Sequence, residues 1–307
     1  MLTKLNKNSY RFKNAFSLIE LSIVILIIGI LVAGVTQSSR LVTAMKVMSS
    51  RNAILNAPII SIQGLFSWYE PVLEKSFATG SSGTYNEVLV PDNNSSIAKW
   101  NDINPLSSDK SHAIQPNSAE QPTYVEGAIN GLPALRFSGN KSLMAPAPFF
   151  DSAFSIFMVV SRNNDINWRC IVADIVNSGA GALCAGQDAS ITWTVYQPFV
   201  YSAGSSLAIP RNTPVVFEVH SRGITSSNTV SINMYNNGVL ASSPVNLGGV
   251  VKGVSGDIGR SRLNGSGGDF WIGDIGEIIV YKRMVSNEER IEIEKYLAKK
   301  WGIKINF

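Results

Sequence analysis

At 307 residues, the chain is long enough for one large domain together with a smaller element. Only 16% of the residues are charged, and the net charge is +4. The excess is local, because residues 1–15 contain four basic side chains and no acid, which leaves the rest of the chain neutral. This balance argues against nucleic acid as a partner. The chain has two cysteines and two histidines but no C-x-x-C spacing, which argues against a metal site of the zinc-finger kind.

The first predicted element is an apolar helix near the N-terminus. Residues 21–39 carry no charge, and between residues 16 and 39 only Glu20 interrupts the apolar run. This length matches the hydrocarbon core of a bilayer. The basic residues before it place the N-terminus in the cytoplasm and the bulk of the chain outside. Composition alone leaves open a secretory signal cleaved near Ala33-Gly34 or Ala44.

Glu20 distinguishes this segment from a plain anchor or signal peptide, since an ionisable side chain in a bilayer is costly unless it has a partner. It stands in the run Phe16-Ser17-Leu18-Ile19-Glu20-Leu21, which is followed by Ile27-Ile28-Gly29-Ile30-Leu31. These letters closely resemble the N-terminal motif of type IV prepilins and pseudopilins. The resemblance implies cleavage between Ala15 and Phe16 by a prepilin peptidase and methylation of the new N-terminus at Phe16. Most members have Gly where Ala15 stands.

The resemblance also implies a role for Glu20 in filament assembly. Cleavage leaves a charged amine at Phe16 in the apolar layer, and Glu20 of a neighbouring subunit can neutralise it. Such a head-to-tail contact propagates as a helical filament. The expected partners are therefore the peptidase, other pilin subunits and the bacterial inner membrane. The expected location is a single pass with the C-terminus in the periplasm, and then a pilus or the cell surface.

The helix is predicted to continue beyond the membrane run. Apolar residues recur at helical spacing, which predicts a face that packs on the next domain or on a neighbouring helix. These residues are Leu41, Met45, Met48, Leu55, Ile59 and Ile62. Pro58 predicts a kink or a helix end near Asn56-Ala57.

After residue 65 the pattern changes to short apolar alternations separated by Gly, Asn, Ser and Pro, which is typical of a sandwich or barrel. Strands are predicted at residues 155–160, 191–196, 215–219 and 230–235. Asn236-Asn237-Gly238 predicts a tight hairpin turn. We therefore expect a mainly β fold with two packed antiparallel sheets.

Several stretches resemble the concanavalin A-like, laminin-G-like jelly-roll superfamily. They include Leu65-Phe66-Ser67-Trp68-Tyr69, Trp100-Asn101-Asp102, residues 130–139, Gly276-Glu277-Ile278-Ile279-Val280-Tyr281, Ser286-Asn287-Glu288-Glu289 and residues 296–302. The resemblance implies a jelly-roll sandwich that ends in a strand and a short capped C-terminal helix. Together, the two resemblances predict a leader at residues 1–15, a transmembrane and assembly helix at 16–64, and a jelly-roll domain at 65–307.

No catalytic site is expected. A polysaccharide hydrolase of this fold needs two carboxylates flanking the scissile bond. The nearest match is Asp274 with Glu277, and strand alternation predicts that their side chains lie on opposite faces. We therefore expect that the protein is not an enzyme.

No cofactor or metal is expected either, although calcium is common in such folds. Asp257, Asn264 and Asp269 could supply some of its oxygen ligands, but they are also ordinary turn residues. Trp168, Trp193, Tyr196 and Tyr201 could stack on sugars, although alternating aromatic residues are more often core. The ligand-binding residues stay unknown, and His112 and His220 are expected to face solvent or to be hydrogen-bonded bystanders.

Cys170 and Cys184 are expected to pair once the domain reaches the periplasm. Apolar segments at 171–176 and 182–185 flank a turn, so the two thiols can face each other across a hairpin.

Two functions follow from the sequence. In the first, the protein is a minor pilin whose jelly-roll domain binds a glycan or a surface protein. In the second, it is a structural pilin or a secretion pseudopilin whose domain serves only assembly. Domain size favours the first, because a repeating subunit usually needs less bulk on its helix.

Overall fold

The computed structural model of the protein describes residues 17–150, 153–163, 169–175, 182–185, 193–197, 200–201, 210–224, 229–240, 245–248, 253–261 and 269–306. The chain divides into two units, Met1–Met45 and Lys46–Phe307. The first unit contains the apolar part of helix α1, and the second contains two β-sheets and helix α2.

Helix α1 spans Leu18–Leu55. It ends where Pro58 predicts an end, because a proline disfavours the helical conformation of the residue before it. Ala57 is extended, and Pro58 occupies the first turn of a short 3₁₀ helix, Pro58–Ile60. The predicted end of the helix near Asn56-Ala57 is confirmed.

The strands form two antiparallel sheets, which confirms the expected mainly β fold. The first sheet contains β1 (Leu65–Tyr69), β6 (Thr123–Ile129), β7 (Leu132–Ser138), β9 (Ala153–Arg162), β14 (Val215–Ile224), β15 (Thr229–Asn236), β16 (Val239–Leu240), β17 (Val245–Gly248) and β19 (Ile272–Tyr281). The second contains β2 (Phe77–Ser81), β3 (Thr84–Val88), β4 (Lys99–Trp100), β5 (Ala113–Ile114), β8 (Leu143–Ala145), β10 (Arg169–Ile175), β11 (Ala182–Ala185), β12 (Trp193–Gln197), β13 (Val200–Tyr201) and β18 (Ser255–Ile258).

The centre of the first sheet is β14-β9-β19, with β15 and then β16 beyond β14, and with β7 and β6 beyond β19. Strand β1 pairs with the C-terminal half of β19, and β17 pairs with β15. Strands β9 and β19 are buried along nearly their whole length. Their continuous apolar sequences fit strands that are covered on both faces.

The main core lies between the two sheets. The first sheet contributes Phe137 and Ile278 to this core, and the second contributes Phe77, Trp100 and Val172. This arrangement follows from alternation, since one set of side chains of each strand points to the facing sheet.

A second core covers the outer face of the first sheet. Helix α2 (Asn287–Trp301) packs its buried residues Ile293, Leu297 and Trp301 against this face. Ile59 of the 3₁₀ helix and Ile54 of α1 join the same cluster. The outer face of the first sheet is therefore covered by the segment just before β1 and by the C-terminal helix α2.

Local sequence signals account for the turn between β15 and β16 and for both ends of helix α2. Asn237 and Gly238 have positive φ values of 50° and 80°, as a two-residue hairpin turn requires. In α2 the Ser286 hydroxyl accepts from the Glu289 N–H, and the Glu289 carboxylate accepts from the Ser286 N–H. Gly302 ends the helix in the left-handed conformation. The predicted hairpin and the predicted helix caps are confirmed.

Candidate functional site

The two carboxylates considered for catalysis, Asp274 and Glu277, lie on the same face of the first sheet, so the expectation of opposite faces is wrong. Alternation is interrupted by a β-bulge between Ile275 and Glu277. As a result, Ile275 and Ile278 both enter the core between the sheets, although they are three residues apart. Asp274 and Glu277 therefore both point away from that core.

Each of these carboxylates is held by other groups. Arg136 on β7 forms a bidentate ion pair with Asp274, with Nε–Oδ1 and Nη2–Oδ2 distances of 2.7 and 2.9 Å. Hydrogen bonding to Asp274 raises the pKa of the Arg136 guanidinium. Glu277 is fully buried and faces α2. The pair is thus built into the packing of the sheet.

Glu277 accepts four hydrogen bonds. Its Oε1 accepts from Trp68 Nε1 at 2.7 Å and from the Tyr296 hydroxyl at 2.9 Å. Its Oε2 accepts from Trp301 Nε1 and from Lys300 Nζ, both at 2.8 Å. These donors come from β1 and α2, so one carboxylate connects three elements that are distant in sequence.

Lys300 completes a buried cluster with two carboxylates. Its Nζ lies 2.7 Å from Glu70 Oε1 and 2.8 Å from Glu277 Oε2, and all three side chains are fully buried. Burial raises the pKa of Glu70, and the nearby Glu277 acts in the same direction. Sequence reasoning missed this cluster, because Glu70 and Lys300 stand at opposite ends of the domain.

The N-terminal unit carries the other candidate site. The Ser17 N–H donates to Glu20 Oε2 at 2.9 Å, so Glu20 satisfies one of the free donors at the start of its own helix. A carboxylate is favourable at this positive end of the helix dipole. Both side chains are exposed. The predicted cleavage and methylation site at Ala15 and Phe16 lies outside the described residues.

Glu20 stands in a segment that is apolar and long enough to cross a membrane, Leu18–Val35. Its eighteen residues rise about 27 Å as a helix, close to the thickness of the hydrocarbon core. Their apolar side chains are exposed in the chain on its own. Lipid or other helices would have to cover this surface.

Beyond this segment, the predicted apolar face of α1 divides in two. Ile59 and Ile62 are buried in the sandwich unit. Met48 and Leu55, in contrast, are 66% and 76% exposed. Leu41 and Met45 of the preceding unit are also exposed. At the end of the helix it is Ile54 that makes the buried contact. The four exposed residues at helical spacing form what we call the free apolar stripe: Leu41, Met45, Met48 and Leu55.

Residues 10–36 match the prokaryotic N-terminal methylation motif. This is the segment whose letters resemble type IV prepilins, so the chain carries a prepilin-type N-terminus in front of its β-sandwich. The match fits an inner-membrane anchor that is processed by prepilin peptidase and assembled with other pilins. A comparison with curated protein sequences gave no match.

The sandwich is similar to solved arabinofuranosidase structures. A mutant GH54 α-L-arabinofuranosidase soaked with 4-nitrophenyl α-L-arabinofuranoside has a TM-score of 0.54 at 11% identity, over 77% of this chain and 63% of that chain. An arabinofuranosidase complexed with arabinofuranosyl-α-1,2-xylobiose has a TM-score of 0.51 at 11% identity, over 76% of this chain and 62% of that chain. The match therefore spans less than two thirds of each enzyme. At such identities the likeness shows the fold alone.

A bacterial domain gives a weaker match. Domain 4 of AbnA, a GH43 extracellular arabinanase from Geobacillus stearothermophilus in complex with arabinotriose, has a TM-score of 0.45 at 15% identity. The alignment covers 57% of this chain and 81% of that chain.

The histidines are hydrogen-bonded, and one of them is buried. His112 Nδ1 accepts from the Asp102 N–H at 3.0 Å. His220 lies between Ser155 Oγ, 2.9 Å from its Nδ1, and Glu218 Oε2, 3.2 Å from its Nε2. Ser155 Oγ also accepts from the Val285 N–H at 3.0 Å. All of the Ser155, His220 and Glu218 side chains are buried, so this serine–histidine–carboxylate row holds strands together.

The residues considered for calcium are not assembled as ligands in the described part of the chain. Asp257 is buried, and its Oδ2 accepts from Arg260 Nε at 3.2 Å. Burial raises the pKa of Asp269, while Asn264 lies outside the described residues. Among the residues described, no group of three His, Cys, Asp or Glu side chains is placed to hold a metal ion.

The aromatic candidates cannot be placed at a sugar site. Trp168 lies outside the described residues, and for Trp193, Tyr196 and Tyr201 only the strand backbone is described.

Cys170 and Cys184 form a disulfide bond in the structure. They lie opposite each other in the pairing of β10 with β11, and both are buried. The connecting residues 176–181 lie outside the described part. The bond joins two neighbouring strands of the second sheet.

Proposed function

We propose that this protein is a minor type IV pilin-like subunit whose jelly-roll sandwich binds a glycan or a surface protein in adhesion. The observation that carries the proposal is the joining of a methylation-motif anchor to a sandwich that occupies most of the chain. The anchor supplies a place in a filament. The sandwich is larger than the domain that a repeating structural subunit usually carries on its helix.

Assembly would use Glu20 and the free apolar stripe. After cleavage before Phe16, Glu20 would give up its contact with the Ser17 N–H of its own chain. It would instead form an ion pair with the new amine of a neighbouring subunit. The exposed residues Leu41, Met45, Met48 and Leu55 would pack between helices. The periplasmic location of the C-terminal bulk follows from the basic residues that precede the anchor.

We propose binding without catalysis. Arg136 holds Asp274 as an ion pair, and Glu277 already accepts four hydrogen bonds in a fully buried position. A hydrolase acid must reach the glycosidic oxygen, and its partner must reach the sugar ring or a water. Neither carboxylate meets that condition in this arrangement. Both serve packing.

The chemistry of the ligand follows from charge. Without residues 1–15 the chain is neutral, which disfavours nucleic acid and anionic lipid as the main partner. An uncharged or weakly charged surface ligand fits best. Affinity at one site would be weak, and several subunits on one filament could raise avidity by about 10²–10⁴.

A glycan and host-surface binding screen with the mature chain in detergent tests the proposal. We expect saturable binding that survives salt at about 0.5 M, because ions at such a concentration screen contacts between exposed charges. The count of subunits per filament is the companion measurement, since a rare tip component fits adhesion. An abundant subunit that binds no glycan or surface protein would favour the purely structural pilin or pseudopilin.

The absence of catalysis has its own test. The same preparation is incubated with a panel of polysaccharides, and released reducing sugar is measured. We expect none above the level of a heat-denatured sample. Release that Glu277→Gln abolishes, in a variant that still folds, would overturn the proposal of binding alone.

A further inference from the structure

Lys300 is a primary amine enclosed in the protein interior with two carboxyl groups. Its side chain is fully buried, as are those of Glu70 and Glu277. Trp301 and Tyr296 border the amine, with ring centroids 5.3 and 5.7 Å from Nζ. Such a cluster is costly as separate charges, because two carboxylates and one ammonium leave a net negative charge away from water.

The surroundings of the two carboxyl groups differ. The Glu70 oxygens accept from two backbone N–H groups, Val72 to Oε1 and Leu73 to Oε2, both at 2.8 Å. Donors fixed in this way withdraw electrons from the carboxyl carbon and stabilise negative charge that develops on its oxygens. Glu277 receives its donors from side chains, including Lys300. Glu70 is therefore arranged as an electrophile, and Glu277 as a fixed base.

We propose that Lys300 Nζ and the carboxyl group of Glu70 join in an intramolecular isopeptide bond, with Glu277 as the proton carrier. This modification site is independent of the ligand that the sandwich binds.

The reaction is a condensation within the folded chain. Glu277 Oε2, 2.8 Å from Nζ, takes a proton from the ammonium, and the free amine attacks Cδ of Glu70. The N–C bond forms while the Leu73 N–H holds the developing oxyanion at Oε2, and the Val72 N–H bonds Oε1, the oxygen that departs. Glu277 returns its proton to the departing oxygen, the C–O bond breaks, and one water leaves. Glu277 then takes the second proton that the nitrogen loses, so the products are an amide, one water and a protonated Glu277, and no oxidant is involved.

Folding supplies what makes this step possible. Lysine and glutamate side chains do not condense in water, but groups held in contact reach very high effective concentrations. The raised pKa of Glu70, caused first by burial, favours the neutral carboxyl group that the attack requires. In the product the ammonium charge is gone and Glu277 holds the remaining proton, so no charge is left buried in the cluster.

The bond would clamp the two ends of the sandwich. Glu70 directly follows β1, and Lys300 lies in the last turn of α2, 230 residues later. Tension on a filament-borne subunit enters through the residues before β1. A covalent link at residue 70 would pass this tension directly to α2, so the chain after residue 70 would stay in the sandwich even if β1 left its pairing with β19.

The experiment is an intact-mass measurement on the full chain purified from membranes in detergent, after reduction of the disulfide. We expect a mass one water lighter than that of the mature chain with a methylated N-terminus. Tryptic digestion should give a branched peptide that contains both Glu70 and Lys300, without cleavage after Lys300. A full mass, together with normal cleavage after Lys300, would overturn the proposal whatever the variants do.

Variants separate the roles of the three residues. Lys300→Arg should have the full mass, and the matched change at its exposed neighbour, Lys299→Arg, should keep the loss of one water. Glu70→Gln should lose ammonia in place of water if the link forms there. Glu277→Gln should stay unlinked. Linking of Glu277→Gln to the wild-type extent would remove Glu277 from the reaction, and if that variant fails to fold, the wild-type mass alone decides.

Discussion

The ring of Trp301 lies against the backbone of Gly276, where a Cβ would stand 2.5 Å from the ring. Gly276 is the residue at the bulge of β19, between Ile275 and Glu277. The absent side chain lets α2 approach the sheet, and the bulge turns Glu277 toward the Trp301 indole. One glycine thus decides both the docking of the helix and the direction of the buried carboxylate.

We therefore expect Gly276→Ala to destabilise the sandwich by about 1–3 kcal/mol, the usual cost of overpacking a core. Thermal unfolding of the full chain in detergent, followed by tryptophan fluorescence, gives the comparison with wild type. The double variant Gly276→Ala with Trp301→Leu should lose less stability than the sum of the two single variants. Additive losses would mean that the two residues do not interact.

The buried pair Glu218 and His220 predicts an unusual dependence of stability on pH. Burial lowers the pKa of His220 from 6.5 to about 3. Burial, with Glu294 beside it, raises the pKa of Glu218 well above 4.5. As the pH falls from 6.5 to 4.5, the unfolded chain gains a proton on His220, whereas on Glu218 the folded chain gains its proton before the unfolded chain does. The two contributions therefore oppose each other in this window.

Single variants should expose each contribution. Relative to wild type, Glu218→Gln should lose unfolding free energy as the pH falls from 6.5 to 4.5, by at most about 1.4 kcal/mol per pH unit. His220→Gln should gain stability by a similar slope over the same range, because only the Glu218 contribution remains. Denaturant unfolding at a series of pH values measures both slopes. Parallel curves for wild type and both variants would contradict the assigned protonation states.

Glu20→Ala should leave membrane insertion intact and prevent incorporation into filaments, because the amine of a neighbouring Phe16 loses its counter-charge in the apolar layer. Membrane fractionation and quantification of the subunit in sheared filaments measure the two effects. Ser22→Ala is the matched control, since its hydroxyl donates to the Ile19 carbonyl of its own helix. Normal incorporation of the Glu20 variant would exclude the assigned role.

Processing at Ala15 and Phe16 is tested on native protein. We expect the mature chain to begin at Phe16 with a methylated amine, which N-terminal analysis by mass spectrometry detects. Retention of residues 1–15 in the membrane-extracted protein would show that the peptidase does not use this site.

The Cys170–Cys184 bond should be formed in the exported protein. Because it closes a loop of 14 residues' separation, replacing both cysteines by serine should cost about 3 kcal/mol of unfolding free energy. Alkylation of the folded protein before reduction should label neither cysteine, and alkylation after reduction should label both. Two thiols that react without reduction would refute the pairing.

Much of the fold could be predicted from sequence because its signals are local. The apolar run of Leu18–Val35, the end of α1 before Pro58 and the turn at Asn237-Gly238 each depend on residues within a few positions. The capping box of Ser286 and Glu289 is of the same kind. Backbone conformation and nearby hydrogen bonds fix these features, so the chain specifies them without reference to distant parts.

Only the tertiary structure decided where the carboxylates of the sandwich point. Simple alternation put Asp274 and Glu277 on opposite faces, and the bulge reversed that expectation. A glycine inside a strand, such as Gly276, permits a bulge without requiring one. The ring that fills the space beside it, Trp301, comes from a helix that lies elsewhere in the sequence. The meeting of Lys300 with Glu70 depends in the same way on the packing of α2 against the first sheet. Contacts across such separations are fixed by the packing of the whole domain, whereas the anchor and its Glu20 were legible from the sequence alone.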